Sequence, residues 1–114
     1  MKDLREPIEK MLNTPTALKA NNKIPEHFIK EIVVAVFNYE DGFIHLSIYV
    51  DLDYSLADSR EKYVPAACWF VLEESLPPIL KLFPFRYVDV VYKAYEYGTK
   101  KLLYNDNATV WLRI

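Results

Sequence analysis

The sequence predicts an α+β fold: one mostly antiparallel sheet, made of a long hairpin plus two or three C-terminal strands. A main helix packs on one face, and short N-terminal helices precede it. Three observations carry that expectation. Ile32 to Asp53, IVVAVFNYEDGFIHLSIYVDLD, is two strand-length apolar runs joined by Asp41-Gly42. Asp-Gly is the favoured pair for a tight type I′ turn, because both turn residues need φ > 0. Phe85 to Tyr97, FRYVDVVYKAYEY, is dense in β-branched and aromatic residues, the composition of a strand. Between them Val64, Ala67, Cys68, Val71, Leu72 and Ser75 recur at the helical period.

A chain of 114 residues fits one domain with a core of its own, and 52% hydrophobic content excludes disorder. The expected organisation is an N-terminal helical segment (1–31), the hairpin (32–53), the helix (58–83) and C-terminal strands (85–114). Asp3-Leu4-Arg5-Glu6 has the pattern of a capping box with Asp3 at the N-cap, ahead of an apolar stripe of Leu4, Ile8, Met11 and Leu12. Thr14-Pro15 starts a second short helix, TALKA, and NNKIP (21–25) is a loop. Pro25 opens a further helical turn through Phe28 and Ile29.

The Asp41-Gly42 turn sets a register for the hairpin. Glu40 faces Phe43, Tyr39 faces Ile44, Phe37 faces Leu46, Ala35 faces Ile48 and Val33 faces Val50. Alternation puts the pairs from Val33 to Val50 on one uncharged face, toward the core. The opposite face is mixed and includes Asn38, His45, Ser47, Tyr49 and Asp51. Asp58 or Ser59 caps the main helix, which Pro65 and Pro77-Pro78 disturb and Pro84 ends. Glu73 and Glu74 are expected in solvent. In the third strand Tyr87, Asp89, Val91, Lys93, Tyr95 and Tyr97 share one side, and Val88, Val90, Tyr92, Ala94 and Glu96 the other. Gly98-Thr99 turns the chain. Lys100 to Tyr104 then forms a further strand or a bulged continuation, closed by an Asn105-Asp106-Asn107 turn. Thr109 to Ile114 forms the last strand, with Val110, Leu112 and Ile114 inward.

Composition narrows the functional classes. The apolar runs are too short and interrupted to span a membrane. The N-terminus MKDLREPIEK lacks the apolar centre of a signal peptide. The expected location is cytoplasmic. The single cysteine, Cys68 in AACWFV, reads as a buried small hydrophobe. Residues 31–74 hold nine carboxylates against Arg60 and Lys62, an acidic middle between basic ends, which disfavours a phosphate-gripping role there. Neither His27 nor His45 belongs to a zinc-ligand spacing. Ser47, His45 and Asp51 share a face of one strand, but i and i+2 side chains project in parallel, against triad geometry.

Asp51 and Asp53 lie two apart at the end of the second strand, and Asp89 lies within YVDVV on the third. Three carboxylates on adjacent strands suit Mg²⁺, a hard cation that prefers oxygen. The pattern, confined to Ile48–Val91, resembles the nucleotidyltransferase (polymerase β-like) superfamily, where such aspartates hold the metals for phosphoryl or nucleotidyl transfer. The resemblance implies Asp51 and Asp53 as shared ligands and Asp89 as third ligand and base. The family's upstream Gly-Ser pair is missing, since the only glycine nearby is Gly42 in the hairpin turn. The element order is also loosely similar to small ferredoxin-like RNA-associated domains.

Nine tyrosines and two tryptophans point instead to an interface, because tyrosine combines contact area, a polar tip and low conformational cost. Two glycines leave little material for catalytic or phosphate-cradling loops. The expectation is therefore a protein-binding module without cofactor, whose acidic, tyrosine-rich surface docks on a basic protein. Its most specific form is an immunity- or antitoxin-type inhibitor of a nuclease toxin, whose general profile such bacterial proteins share. Glu40, Asp41, Asp51, Asp53 and Asp58 would face the partner, with Tyr49 and Tyr54 as anchors. The alternatives are a metal-dependent enzyme using Asp51, Asp53 and Asp89, a small RNA-associated domain, and a subunit that self-associates through its last strand.

Overall fold

The computed structural model describes residues 4–14, 27–53 and 60–112. In chain order these form α1 (Arg5–Leu12), β1 (Ile29–Glu40), β2 (Phe43–Leu52), α2 (Arg60–Trp69), α3 (Leu76–Leu80), β3 (Tyr87–Glu96) and β4 (Leu102–Trp111), with a π-helical stretch, Phe70–Ser75, joining α2 to α3. The four strands make one sheet in the order β1-β2-β3-β4. Both hairpins are antiparallel, while β2 and β3 run parallel. The chain leaves the end of β2, crosses over through the helices and re-enters beside the start of β2. Only a long crossover can make neighbouring strands parallel. The α+β class therefore stands, with a mixed but mostly antiparallel sheet and its helices on one face.

The helical period of the crossover is realised: Val64, Ala67, Cys68, Val71, Leu72 and Ser75 are buried, while Glu73 and Glu74 are exposed. The prolines reshape the helix without ending it. Pro77 and Pro78 have no N–H, and their rings crowd the carbonyls four residues back. The backbone widens just before them, so that the Leu76 N–H bonds the Val71 carbonyl, five residues back. Against this helical layer β2 buries Ile44, Leu46, Ile48 and Val50, and β3 buries Val88, Val90, Tyr92 and Ala94. Ile8 and Leu12 bring α1 into the same core.

Near its turn the hairpin has the register the sequence predicts: Glu40 pairs Phe43, Tyr39 pairs Ile44 and Phe37 pairs Leu46. Asp41 and Gly42 have φ of 49° and 87°, as a type I′ turn demands. Beyond this the register differs. A bulge between Val34 and Val36 leaves Ala35 as the extra residue, so Val34 pairs Ile48, Val33 pairs Tyr49 and Ile32 pairs Val50. Ile32 and Val34 turn inward, and Val33 is 36% exposed. The segment from Ile32 to Phe37 is apolar throughout, so its own pattern cannot choose a parity. α1 fixes it instead. Asn13 accepts the Ile32 N–H on Oδ1 at 2.9 Å and donates Nδ2 to the Ile32 carbonyl at 2.6 Å, and Glu9 Oε1 accepts the Val34 N–H at 2.8 Å. These bonds occupy the free edge of β1 as a neighbouring strand would.

Three further expectations are corrected. The N-cap of α1 is Leu4, with no side-chain bond, rather than Asp3. From that start the third helical residue is Pro7, which has no N–H to offer a capping side chain. Phe28 and Ile29 do not form a helical turn: Ile29 already opens β1, after a turn at His27 with φ of 64°. Asn105-Asp106-Asn107 is not a turn but the middle of one continuous β4, paired with Lys93, Tyr92 and Val91. None of these three residues has positive φ, whereas Gly98 and Lys100 do, so reversal is completed before β4 begins. Asp3, the second N-terminal helix, the 21–25 loop and Pro25 lie outside the described residues, as do Tyr54, Asp58, Ser59 and Ile114.

Candidate functional site: the open face of the sheet

Helices cover one face of the sheet, and the side chains of the other face form cross-strand rows. The first row is aromatic. Phe43, Tyr87 and Trp111 stand side by side on β2, β3 and β4, with ring centroids 4.4 Å and 4.8 Å apart. Trp111 is 67% exposed. The pairing builds this row: parallel register puts Phe43 beside Tyr87, and antiparallel register puts Tyr87 beside Trp111.

The second row is polar. Asp89 lies between His45 and Thr109; its Oδ1 accepts the Thr109 hydroxyl at 2.7 Å, and its Oδ2 stands 3.6 Å from His45 Nδ1. The third row, Ser47, Val91 and Asn107, has short side chains. Together the second and third rows floor a shallow depression of about 310 Å³. The next row is Tyr49, Lys93 and Asn105, with the Tyr49 ring 5.6 Å from that of Tyr95. An aromatic row therefore borders a floor of short polar and apolar groups.

At the far end Asp51 is buried and bound to Lys100, with Nζ donating to Oδ2 at 2.7 Å. The hydrogen bond to Asp51 raises the Lys100 ammonium above its usual range, with the negative charge of Asp51 and Glu31 adding to it. In the helical layer, burial pushes the Cys68 thiol up to about 12, with a smaller push from Asp106, so it is an inert core group. Burial likewise raises the Tyr92 phenol well above its ordinary range.

The three aspartates of the metal reading do not converge. Asp89 is level with His45, six residues before Asp51 along β2, a separation of about 20 Å at strand rise. Asp51 is neutralised by Lys100, and among the described residues no group of three metal-ligating side chains comes together. The resemblance in sequence failed because the strands run parallel: an aspartate early in β3 lies beside the start of β2, not its end. Glu40 and Asp41 are exposed at the hairpin turn and Tyr49 half-buried on the open face, while Asp53 follows β2 with its N–H bonded to the Phe28 carbonyl at 2.8 Å. Phe43, Tyr87 and Trp111 were not singled out from the sequence. Their outward parity was legible for each strand, but their adjacency needed the parallel pairing of β2 with β3.

Against protein-family models and curated proteins the chain has no match. A solved structure to which it is similar is the pilotin EpsS from the Vibrio vulnificus type 2 secretion system, at 13% identity and a TM-score of 0.34, covering 95% of this chain and 91% of that one.

Proposed function

We propose that this chain is a small protein-binding module that docks a partner on the open face of its sheet, anchored by Phe43, Tyr87 and Trp111. The observation that carries the reading is the aromatic row beside a shallow floor of short side chains. Large rings held by neighbouring strands offer contact area at little further entropic cost, the property of interface hot spots. Charge favours a basic partner: Glu40 and Asp41 are exposed beside Phe43, and Asp89 lies in the floor. Asp51 leaves the acidic set because Lys100 holds it.

In its most specific form the module is an immunity- or antitoxin-type inhibitor of a basic partner such as a nuclease toxin. The small size, the carboxylate excess of residues 31–74 and the open docking face support that form. Single-stranded nucleic acid also stacks on aromatic sheets, but it needs a positive field where Asp89 puts a negative one.

The test starts from a partner captured at low salt, purified and titrated against wild type and Trp111→Ala. The reading expects affinity to fall by about tenfold or more, the size of an interface hot spot. Equal affinity of the two proteins would move the interface off this face. Stoichiometric loss of the partner's enzymatic activity would support the inhibitor form. A bound partner with unchanged activity would leave only the binding module.

A further inference from the structure

We infer that the corner formed by Tyr87, Asp89 and Trp111 seats an arginine side chain of the docked protein. The inference rests on the protein-binding reading and names the chemistry that the partner must present. Tyr87 and Trp111 are inclined at 42° to one another with centroids 4.8 Å apart, so their faces meet at an angle. Asp89 is the next residue of β3 on the same face, one row in from the rings. A cation set against those rings gains from their negative faces, and its hydrogens come within reach of a carboxylate.

The carboxylate is oriented without being used up. Thr109 donates to Oδ1 at 2.7 Å and His45 stands 3.6 Å from Oδ2, while the Asp89 side chain remains 41% exposed. An ionised carboxylate has about four lone-pair sites, so acceptor capacity remains toward solvent. Among the described residues neither Arg86 nor Lys93 forms an ion pair with Asp89. The stem of Arg86 lies along Gly42, close enough that a Cβ there would meet Arg86 Cγ at 3.2 Å. Lys93 is four residues farther along β3, level with Tyr49. Arginine fits this corner better than lysine, because a planar guanidinium both stacks on a ring and presents parallel N–H groups to one carboxylate.

The probe is acetyl-Gly-Arg-Gly-amide, titrated into the ¹⁵N-labelled full chain, alongside the citrulline peptide of the same shape without charge. Saturable shifts are expected at the Trp111 indole and at the amides of Tyr87, Asp89 and Thr109. The citrulline peptide should bind about fivefold more weakly, and Asp89→Asn should weaken the arginine peptide by a similar factor, the scale of one exposed cation–π or charge-assisted contact. The spectrum of the variant reports its fold directly. Equal binding of arginine and citrulline, equal binding of a lysine peptide, or shifts elsewhere would overturn the assignment. If the arginine peptide fails while Trp111→Ala still releases the partner, the arginine seat falls and the docking face stands. If Trp111→Ala also leaves the partner bound, both fall.

Discussion

The two faces of β3 differ by one residue of phase and by everything else. Val88, Val90, Tyr92 and Ala94 are sealed beneath the helices, while Tyr87, Asp89, Val91, Lys93 and Tyr95 alternate with them on the open side. From Val88 to Ala94 the covered face is apolar with one hydroxyl. The open face mixes rings, short polar side chains and charge. Selection for burial alone explains the first pattern. It does not explain three aromatic rings aligned across three strands in contact with water, and the proposed interface would account for that excess. The difference also predicts where substitutions should hurt folding and where they should hurt only function.

The largest effect belongs to the covered face. Leu46 is 1% exposed, so Leu46→Ala removes buried methyl groups and leaves a cavity, costing about 2–5 kcal/mol in urea unfolding. A loss below about 1 kcal/mol would mean that the helical layer is not closed over β2, and the contrast between faces would dissolve. Next comes the guarded edge. Asn13→Ala strips the Ile32 N–H and carbonyl of their partners in a half-buried place, which should cost about 1–3 kcal/mol. It also uncovers the edge of β1, so sedimentation should show a concentration-dependent mass that wild type lacks. The opposite edge, β4, already carries Asp106, whose carboxylate accepts the neighbouring Asn107 N–H at 2.9 Å. A charge within an edge strand discourages a second strand from adding there.

How much of this could be read from residues alone follows the range of the interactions involved. The hairpin turn was legible because Asp41-Gly42 sets its own φ values. The buried phase of the main helix and of β3 was legible because each follows one period. The bulge at Ala35 was not, since the residues around it are all apolar and its position is set by Asn13 and Glu9, which bind backbone groups 19 and 25 residues later in the chain. Asn105-Asp106-Asn107 misled because turn composition is a local preference, and pairing with β3 overrides it. The candidate site suffered most. The aspartate pattern was visible but is pulled apart by the parallel crossover, and the aromatic row was assembled by it.

Tyr92 offers a smaller test, with the opposite sign. Its ring is fully buried and meets Tyr104 edge-on at 6.5 Å, but its hydroxyl has no hydrogen-bond partner. A buried donor without an acceptor costs free energy, so Tyr92→Phe should raise stability by about 1 kcal/mol, read as a higher urea midpoint at unchanged slope. A loss of stability would reveal that the hydroxyl is satisfied by a buried water, and the covered face would then be less dry than its side chains suggest.

The smallest effect on folding should come from Trp111, the residue proposed as an anchor for the partner. Trp111 gives up little on truncation, because most of its surface is already in water and its ring partner among the described residues is Tyr87. Trp111→Ala should therefore cost about 0.5 kcal/mol of stability, the scale of one cross-strand pair. The same substitution should cost a bound partner about 1.4 kcal/mol or more, a factor of ten. The ratio of the two effects is the informative quantity. A structural tryptophan would lose stability and affinity together, since a weakened β4 would loosen the whole face. An anchoring tryptophan loses affinity alone. Measuring both on one sample, by urea titration and by calorimetry, separates a ring held for the sheet from a ring held out for a partner.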